Sequence, residues 1–511
     1  MRARASIVGP ALAAMLLAGC TVGPNYRPPA MDVPAAFVGP QVAAAPGVSI
    51  DPARWWTAFG DPQLDGLIDR ALKDNPDIAI AASRVRQART QEIVARAAGR
   101  PTVNASANAT ALEFSKNAGL STIARSFSGG DTGGANNSGG TGVGTGSGIA
   151  LPGRGITTFA AGFDASWELD LFGGVRRQQE GARARTEAAI WSRRDAAVTL
   201  AAEVAQAYFA LRLDQVQAAT IDQELIRQRR ALQIAGNVAK VGLVPPIDVT
   251  RQRGSITATE ARAEPIRADI DVRMHALAIL LGEPPAALMG ELAAMPVRTL
   301  AVPTIPAGLP SDLLRRRPDV RAAERDLAAS TADIGVAVAD LYPKFSLTGV
   351  AQLISTALGN LFSGDSLQLT SSGAVQFPLV DFGRRKATVT AREEDREQAY
   401  LRYRTTVLQA LRDVEDPLTQ IAGERRRNAA LARAVTDAQS SASALEAQYR
   451  TGFIAQDSLL NAQSDVLSAR EQLAASDAQL RQLTAALFKA MGGGWSEGDD
   501  VPPRPTSPAT P

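Results

Sequence analysis

Residues 157–174 read TTFAAGFDASWELDLFGG, and apolar and polar side chains alternate along this stretch until it ends in Phe172-Gly173. Phenylalanine, alanine, tryptophan and leucine occupy one side of the pattern, and aspartate, serine and glutamate occupy the other. A two-residue period predicts a β-strand with one apolar and one polar face. The same Phe-Gly pair returns at Phe382-Gly383, shortly after a second alternating stretch. The strand is therefore one part of a larger repeat.

The chain repeats itself at two related offsets. Gly242 recurs as Gly452 and the Phe-Gly pair recurs at the same offset of 210 residues, whereas Pro101 recurs as Pro343 at an offset of 242. The first half thus carries 32 additional residues, in an interval that contains the Gly/Ser/Asn-rich run 126–155. We expect two halves of one architecture, with a long loop added to the first half.

The N-terminus predicts a secreted, lipid-anchored protein. Basic residues precede the apolar run 7–18, which ends in Leu-Ala-Gly-Cys at Cys20. The run is too short to span a bilayer, so residues 1–19 are interpreted as a signal peptide. Leu-Ala-Gly-Cys resembles the bacterial lipobox, in which the cysteine becomes the lipidated first residue; the alternative is an ordinary signal peptide with an incidental cysteine. Thr21 follows, where aspartate would resemble an inner-membrane retention signal, so outer-membrane sorting is favoured.

Composition excludes several classes of function. The 511 residues include one cysteine and one histidine, His275, so His/Cys zinc sites and histidine-based catalytic triads lack their parts. The net charge of +2 arises from interspersed charges, which gives no basic stripe for nucleic acid. No glycine-rich phosphate loop follows a strand. We therefore expect no enzyme activity, no cofactor and no bound metal.

Long helices with a seven-residue seam are predicted in both halves. Residues 182–235 contain neither glycine nor proline, which predicts a helix over 175–240 and its counterpart over 384–450, with a kink at Pro417. The following segments carry small and apolar residues every seventh position: Val249, Ile256, Ala263, Ile270, Leu277 and Leu459, Val466, Leu473, Leu480, Leu487. This spacing is typical of coiled-coil packing and predicts one antiparallel helical hairpin in each half. A plain structural coiled coil remains an alternative.

Four segments have the two-residue period of strands: 103–111, 157–171, 344–353 and 367–379. Strands of about ten residues with one apolar face suit a transmembrane barrel, although a soluble sheet packed on the helices is also compatible. Four strands cannot close a barrel, and an open edge in lipid would leave backbone groups unpaired. Oligomerisation is therefore required if the strands span the membrane, and three chains would supply twelve strands.

These motifs together resemble the TolC family of bacterial outer-membrane efflux factors, and within it the NodT-type lipoproteins of RND multidrug efflux systems. The resemblance rests on CTVGPNY at 20–26, WW at 55–56, LPSDLLRRRPD at 309–319, DLYPKF at 340–345 and DFG at 381–383. It implies a homotrimer with a twelve-stranded β-barrel in the outer membrane, continued by a twelve-helix α-barrel in the periplasm. It also implies docking to a periplasmic adaptor protein and an inner-membrane RND pump.

The predicted organisation has five parts. They are a signal peptide (1–19), a lipidated extended segment (20–54), the first repeat (55–290), a linker with the second repeat (291–491) and a disordered tail (492–511). Each repeat should contain a helix, a strand hairpin and a long helical hairpin.

The resemblance also assigns residues to the periplasmic tips of the helical hairpins. The positions that match adaptor-docking turns are Val241, Gly242, Leu243, Thr451, Gly452 and Phe453. Asp248 matches a gate aspartate, and Tyr449 matches a tyrosine that holds the closed tip together. The glycines equally serve to close the turns.

The second repeat departs from the family pattern at the gate. Carboxylates are expected six and nine residues after the glycine, but these positions are Ser458 and Asn461, and Asp457 is displaced by one residue. The arginine expected two residues after the glycine is Ile454. We therefore expect a gate that is less acidic, and held by fewer ion pairs, than is usual in the family.

The sequence predicts a passive outer-membrane exit duct for small molecules, lipid-anchored and extending into the periplasm. A related duct of a type I secretion system is the nearest alternative. A lipid-anchored periplasmic coiled-coil scaffold would explain Cys20 and the seams but not the alternating strands. The sequence names neither the cargo nor the adaptor, and it leaves the resting state of the gate open.

Overall fold

The computed structural model describes residues 21–39, 50–113, 155–241, 245–294, 302–303, 312, 315–451 and 453–496. The predicted signal peptide, Cys20 and nearly all of the Gly/Ser/Asn-rich loop lie outside these ranges. The predicted boundary at 291 is close to another such interval, 295–301, and stays a prediction.

Capped helices and two long strands make up the first half. Its elements are a 3₁₀ helix (Pro52–Phe59), α1 (Pro62–Asp74), α2 (Pro76–Ala97), β1 (Thr102–Glu113), β2 (Gly155–Leu169), α3 (Gly174–Lys240), α4 (Pro246–Leu280) and the short α5 (Met289–Leu292). Helix α1 begins where a proline follows Asp61, whose side chain accepts a 3.0 Å hydrogen bond from the Gln63 backbone.

The second half repeats these elements. It contains α6 (Pro318–Ala339), β3 (Lys344–Ser355), two 3₁₀ turns (Leu358–Asn360, Gly364–Ser366), β4 (Leu367–Gln376), α7 (Arg384–Arg450) and α8 (Gln456–Ala490). Helices α3 and α7 both have 67 residues, and α4 and α8 both have 35. The two predicted long helices are confirmed. Helix α7 continues through Pro417, and α4 continues through Pro265; a kink at Pro417 remains a prediction.

The chain forms two compact units. The strand unit comprises Met1–Pro24, Ile93–Gln179 and Ile334–Thr390, and the helical unit comprises Asn25–Glu92, Glu180–Asp333 and Ala391–Pro511.

The strand unit contains one antiparallel sheet in the order β1-β2-β3-β4. Each half contributes one hairpin, as predicted. Most of the exposed large apolar side chains of the four described strands stand at odd-numbered positions: Val103, Phe163, Trp167, Leu347, Leu367, Leu369 and Val375. The two at even-numbered positions, Leu112 and Ile354, lie next to the last residue of β1 and of β3. Even-numbered positions carry polar pairs, such as Asn104 with Asp164 at 3.0 Å and Gln352 with Gln368 at 3.1 Å. One sheet face is therefore apolar and the other polar, which is the pattern of a strand with lipid on one side and water on the other.

The helical unit has an aromatic core. Trp55 is fully buried and stacks on Phe488 with ring centroids 5.0 Å apart, and Phe59 packs against Phe209 at 4.9 Å. Tyr208 donates a hydrogen bond to the buried Asp61. Burial of each large apolar side chain stabilises the fold by roughly 1.5–3 kcal/mol. Among the described residues, α3 alone contains a window apolar enough to span a membrane, and 61% of that window is buried in this unit.

The seven-residue seam packs the first helical hairpin. Ile221 and Leu225 of α3 form one buried cluster with Ile256 and Ala263 of α4. Ala263 is 1% exposed, and its small side chain allows the two helices to approach closely. The sequence pattern therefore identified the side of α4 that faces α3 correctly.

The end of the chain is packed where the sequence predicts disorder. The sequence places the disordered tail from 492, but the Gly494 backbone donates to the Pro52 carbonyl at 2.8 Å. Trp495 packs edge-on against Trp191 and donates to the Arg316 carbonyl at 3.2 Å. This aromatic anchoring corrects the prediction for 492–496; the rest of the tail lies outside the described residues.

Candidate functional site

The ends of the two long helical hairpins carry the predicted functional residues. Helices α3 and α4 bracket Gly242, and α7 and α8 bracket Gly452. Gly242, Leu243 and Gly452 lie outside the described residues. The remaining three predicted docking residues, Val241, Thr451 and Phe453, are all exposed.

The second turn is held by its own backbone and presents an aromatic ring. The Gln448 carbonyl accepts hydrogen bonds from the Thr451 hydroxyl at 2.9 Å and from the Phe453 backbone at 3.0 Å. These bonds satisfy a carbonyl that the end of α7 would otherwise leave unpaired. The Phe453 side chain remains 83% exposed. An apolar group on a fixed turn is suited to binding a partner surface.

Two carboxylates stand at the beginnings of neighbouring helices. Asp248 lies in the first turn of α4, and Asp457 lies in the first turn of α8. The positive end of the helix dipole favours a carboxylate at each place. Asp248 is the less exposed of the two, with 19% of its side chain accessible, against 57% for Asp457. The structure thus brings a predicted gate residue from each half into one cluster.

Arg251 joins these two carboxylates. Its Nη1 atom lies 3.2 Å from Oδ2 of Asp457 and 3.7 Å from Oδ1 of Asp248. One guanidinium therefore ties the first hairpin to the second hairpin of the same chain. The family pattern places an arginine at the position of Ile454 on the second hairpin, whereas the arginine beside these two carboxylates belongs to the first hairpin. Sequence reasoning missed Arg251, although its position three residues after Asp248 is the spacing of an ion pair on a helix.

Tyr449 borders the same cluster from the last turn of α7. Burial raises the pKa of its phenol, and the negative charge of Asp248 raises it further. The hydroxyl is consequently neutral at physiological pH and keeps its proton for hydrogen bonding. No hydrogen bond joins the two side chains in the described part of the tip.

A cluster of buried glutamines lies beside the ion pair. The side chain of Gln456 donates to that of Gln252 at 3.0 Å, and Gln252 donates to the Gln228 carbonyl at 3.4 Å. All three residues are less than 9% exposed. The Oε1 atoms of Gln228 and Gln456 are buried with no hydrogen-bond partner. An unsatisfied buried polar group costs about 1–3 kcal/mol, so this cluster stabilises the packed helices less than apolar side chains of similar size would.

The other two predicted gate residues do not join this cluster. Ser458 and Asn461 are both exposed on α8. Farther along the same helices, Arg262 contacts both carboxylate oxygens of Glu471, at 2.8 and 2.9 Å. This pair again links α4 to α8. The first and second hairpins are therefore joined by ionic contacts at two levels.

A polar cavity lies in the helical unit, between α3, α6 and α7. Its volume is about 520 Å³, and charged side chains line it: Arg185, Asp195, Asp319, Asp326 and Arg402. Burial raises the pKa of Asp195 and of Asp326, and the charge of Asp319 raises the pKa of Asp195 further.

The sheet and the ionic tips define an outer-membrane channel protein. The family model described as "Outer membrane efflux protein" matches residues 67–283 and 309–493. The chain therefore belongs to the outer membrane efflux protein family. This confirms the predicted family and its outer-membrane location.

Relatives and solved structures agree along nearly the whole chain. Nodulation protein T of Rhizobium leguminosarum bv. trifolii is 28% identical over 482 residues, covering 94% of this chain and 96% of that protein. The pyoverdine export outer membrane protein OpmQ of Pseudomonas putida is 30% identical over 470 residues, covering 92% and 94%. The solved outer-membrane channel OprN is 30% identical, with a TM-score of 0.81 over 93% of this chain and 100% of its own. The predicted fold class is confirmed.

Proposed function

We propose that this protein is the outer-membrane exit duct of a tripartite RND-type efflux system, conducting small molecules passively out of the cell. Its relatives include proteins named for pyoverdine, toluene and antibiotic efflux. In this proposal, three copies close one duct, whose apolar sheet face meets the hydrocarbon of the outer membrane. The polar sheet face then lines the exit.

We infer that the helical tips form the gate of this duct. The observation that carries the inference is the contact of Arg251 with Asp457, which fastens one hairpin to the other. Asp248 and Tyr449 support the closed position from the first and second hairpin, respectively. Ser458 and Asn461 supply neutral polar side chains, which would make the constriction less cation-selective than a full carboxylate ring.

Opening requires a partner that binds the open tip better than the closed one. We propose that a periplasmic adaptor protein does so, with the inner-membrane pump engaged behind it. The surface of this chain that we propose the adaptor binds comprises Val241, Gly242, Leu243, Thr451, Gly452 and Phe453. The exposed Phe453 ring provides apolar contact area, and the nearby ion pair provides a bond that the adaptor can replace with its own polar groups.

Lipidation at Cys20 would attach the mature chain to the membrane in addition to the sheet. A duct of a type I secretion system has the same requirements of sheet and tips. The named relatives favour small-molecule efflux over protein secretion. A coiled-coil scaffold does not account for the apolar face of the sheet.

The gate is tested by single-channel recording of the purified protein in planar bilayers. Arg251→Ala should increase the time-averaged conductance, because it releases the contact between the hairpins. Arg229→Ala is the matched control, since Arg229 pairs with Glu260 at 2.7 Å within the first hairpin. Equal effects of the two substitutions, or no effect of either, would contradict the gate assignment. Absence of any conductance would contradict the duct itself.

A further inference from the structure

The sheet has two outer edges, and the internal repeat predicts how they meet between copies. β1 and β4 are the first and last strands of the sheet. Inside the chain, β2 of the first half already pairs with β3 of the second half. From this joint, we infer the residue-by-residue register of β4 against β1 of the next copy, together with the side-chain contact that continues it. This inference rests on the proposal that several copies close one duct.

The two sequence offsets relate equivalent residues of the two hairpins. A residue of β1 corresponds to the residue of β3 that lies 242 positions later, and a residue of β2 corresponds to the residue of β4 that lies 210 positions later. In the first hairpin, Thr102 pairs with Ser166. Moving Thr102 by 242 residues gives Lys344, and moving Ser166 by 210 residues gives Gln376. Lys344 and Gln376 are partners in the second hairpin.

The other end of the hairpin obeys the same rule. Ala111 of β1 pairs with Thr157 of β2. Their counterparts in the second half are Leu353, at the offset of 242, and Leu367, at the offset of 210, and these two residues are also partners. The 32-residue insertion therefore leaves the register of the paired strands unchanged.

The same two offsets convert the pairing of β2 with β3 inside the chain into the expected pairing of β4 with β1 of the next copy. Asp164 of β2 pairs with Val350 of β3. Moving Asp164 forward by 210 residues gives Ala374, and moving Val350 back by 242 residues gives Asn108. Ala374 of one copy should thus lie opposite Asn108 of the next. The neighbouring pair is Val375 opposite Ala107, derived in the same way from Ala165 and Gly349.

A side-chain contact beyond the strands supports this joint. Phe172 follows β2 and stacks on Tyr342, with ring centroids 4.6 Å apart and planes inclined by 21°. The counterpart of Phe172 is Phe382, which is fully exposed, and the counterpart of Tyr342 is Arg100, which is also exposed. The joint between copies places the Phe382 ring against the Arg100 guanidinium, and a cation above an aromatic face is an attractive contact.

One position shows where the two joints differ. A Cβ atom on Gly162 would lie 2.4 Å from the Ala351 carbonyl oxygen, so β2 and β3 approach closely only because this residue is glycine. Its counterpart in β4 is Ser372. The joint between copies should therefore be wider at Ser372. Ala374 and Val375 lie beyond this point and are the better positions for a test.

Disulfide cross-linking in the outer membrane tests the register. Chains carrying Asn108→Cys with Ala374→Cys, or Ala107→Cys with Val375→Cys, are oxidised and run on a non-reducing gel. Two adjacent pairs are needed because they alternate between hydrogen-bonded and more closely spaced non-hydrogen-bonded geometry. Within one chain, the outer strands are separated by three strand spacings, about 14 Å, so any bond must join two copies.

At least one predicted pair should give covalent oligomers up to the size of the complete assembly. The control pair Thr110→Cys with Ala374→Cys represents a slip of two residues on the same face and should cross-link several-fold less. Each single-cysteine chain controls for Cys20. More cross-linking of the control pair, or no cross-linking of either predicted pair in an intact oligomer, would overturn the register. A monomeric mass in detergent would instead overturn the proposed assembly.

Discussion

Arg251 and Asp457 lie 3.2 Å apart although they belong to different helical hairpins, separated by 206 residues of sequence. Both side chains are about half exposed, so their attraction contributes only about 0.2–1 kcal/mol. A contact of this size suits a gate, because 1 kcal/mol changes an open-to-closed ratio about five-fold and an adaptor can easily exceed it.

Reversing both charges should preserve the gate. Arg251→Asp alone should open the tip, because it places a third negative charge beside Asp248 and Asp457. Combining it with Asp457→Arg restores an opposite pair at the same two positions. Single-channel conductance should rise in the single variant and return towards the natural value in the double variant. If conductance remains high in the double variant, the contact does not hold the gate.

Substitutions of the buried Gln252 and Gln456 should have non-additive effects: the double variant should destabilise the closed tip less than Gln252→Leu alone. Gln252→Leu leaves Gln456 buried without its partner, which should destabilise the closed tip by about 1–3 kcal/mol. Replacing both residues with leucine removes both of these side-chain amides and should recover most of this loss. The closed fraction in bilayer recordings measures both effects. If the decreases in the closed fraction add up in the double variant, Gln252 and Gln456 are not energetically coupled through their 3.0 Å hydrogen bond.

Asp195 should make the helical unit less stable at neutral pH than an amide at the same position. Burial raises its folded-state pKa. The favourable contribution of the protonated form is therefore complete below the ordinary pKa of 3.8 and is lost as pH rises through the raised value. Asp195→Asn should raise the melting temperature at pH 7 more than at pH 4, at fixed detergent and protein concentration. The same change at the exposed Asp271 is the control; an equal gain at both pH values would contradict this explanation.

Trp55 should be a major contributor to the stability of the helical unit. Its ring is fully buried between Trp56, Phe59 and Phe488. Trp55→Ala should cost roughly 3–5 kcal/mol through lost contacts and an unfilled cavity. Trp55→Phe retains a stacked ring and should cost less. Denaturant unfolding of the solubilised protein would show whether the two variants differ in this order.

Phe382→Ala should weaken the assembly and leave each chain folded. The ring is fully exposed in one copy, so its removal costs the isolated chain little. Contact with Arg100 of the next copy is worth about 0.5–1 kcal/mol at an exposed site and acts three times in a trimer. The dissociation temperature of the detergent-solubilised oligomer should fall, and Arg100→Ala should have no further effect in the Phe382→Ala background. If Arg100→Ala lowers the dissociation temperature further in the Phe382→Ala background, the two residues do not contact each other between copies.

The regular parts of the fold were predictable because their side-chain periods are long and unbroken. The alternation of apolar residues identified the four strands that the structure describes, and the seven-residue seam identified the side of α4, around Ile256 and Ala263, that packs on α3. Asp248 and Asp457 were identified from the family resemblance, through their spacing from Gly242 and Gly452. The spacing of Arg251 from Asp248 could have indicated their ion pair, but no local pattern records its proximity to Asp457 on the other hairpin. Trp495 was assigned to a disordered tail because glycines and prolines surround it, yet its ring packs against Trp191.

The stack of Phe172 on Tyr342 has a consequence for the covalent link between the two halves of the chain. It marks a joint that one copy makes within itself and that the following copy should repeat with Phe382 and Arg100. A half-chain of this kind would carry both edges of the joint, so six unlinked halves could build the ring that we propose three chains form. Expressing the two halves as separate polypeptides should still assemble the complete ring.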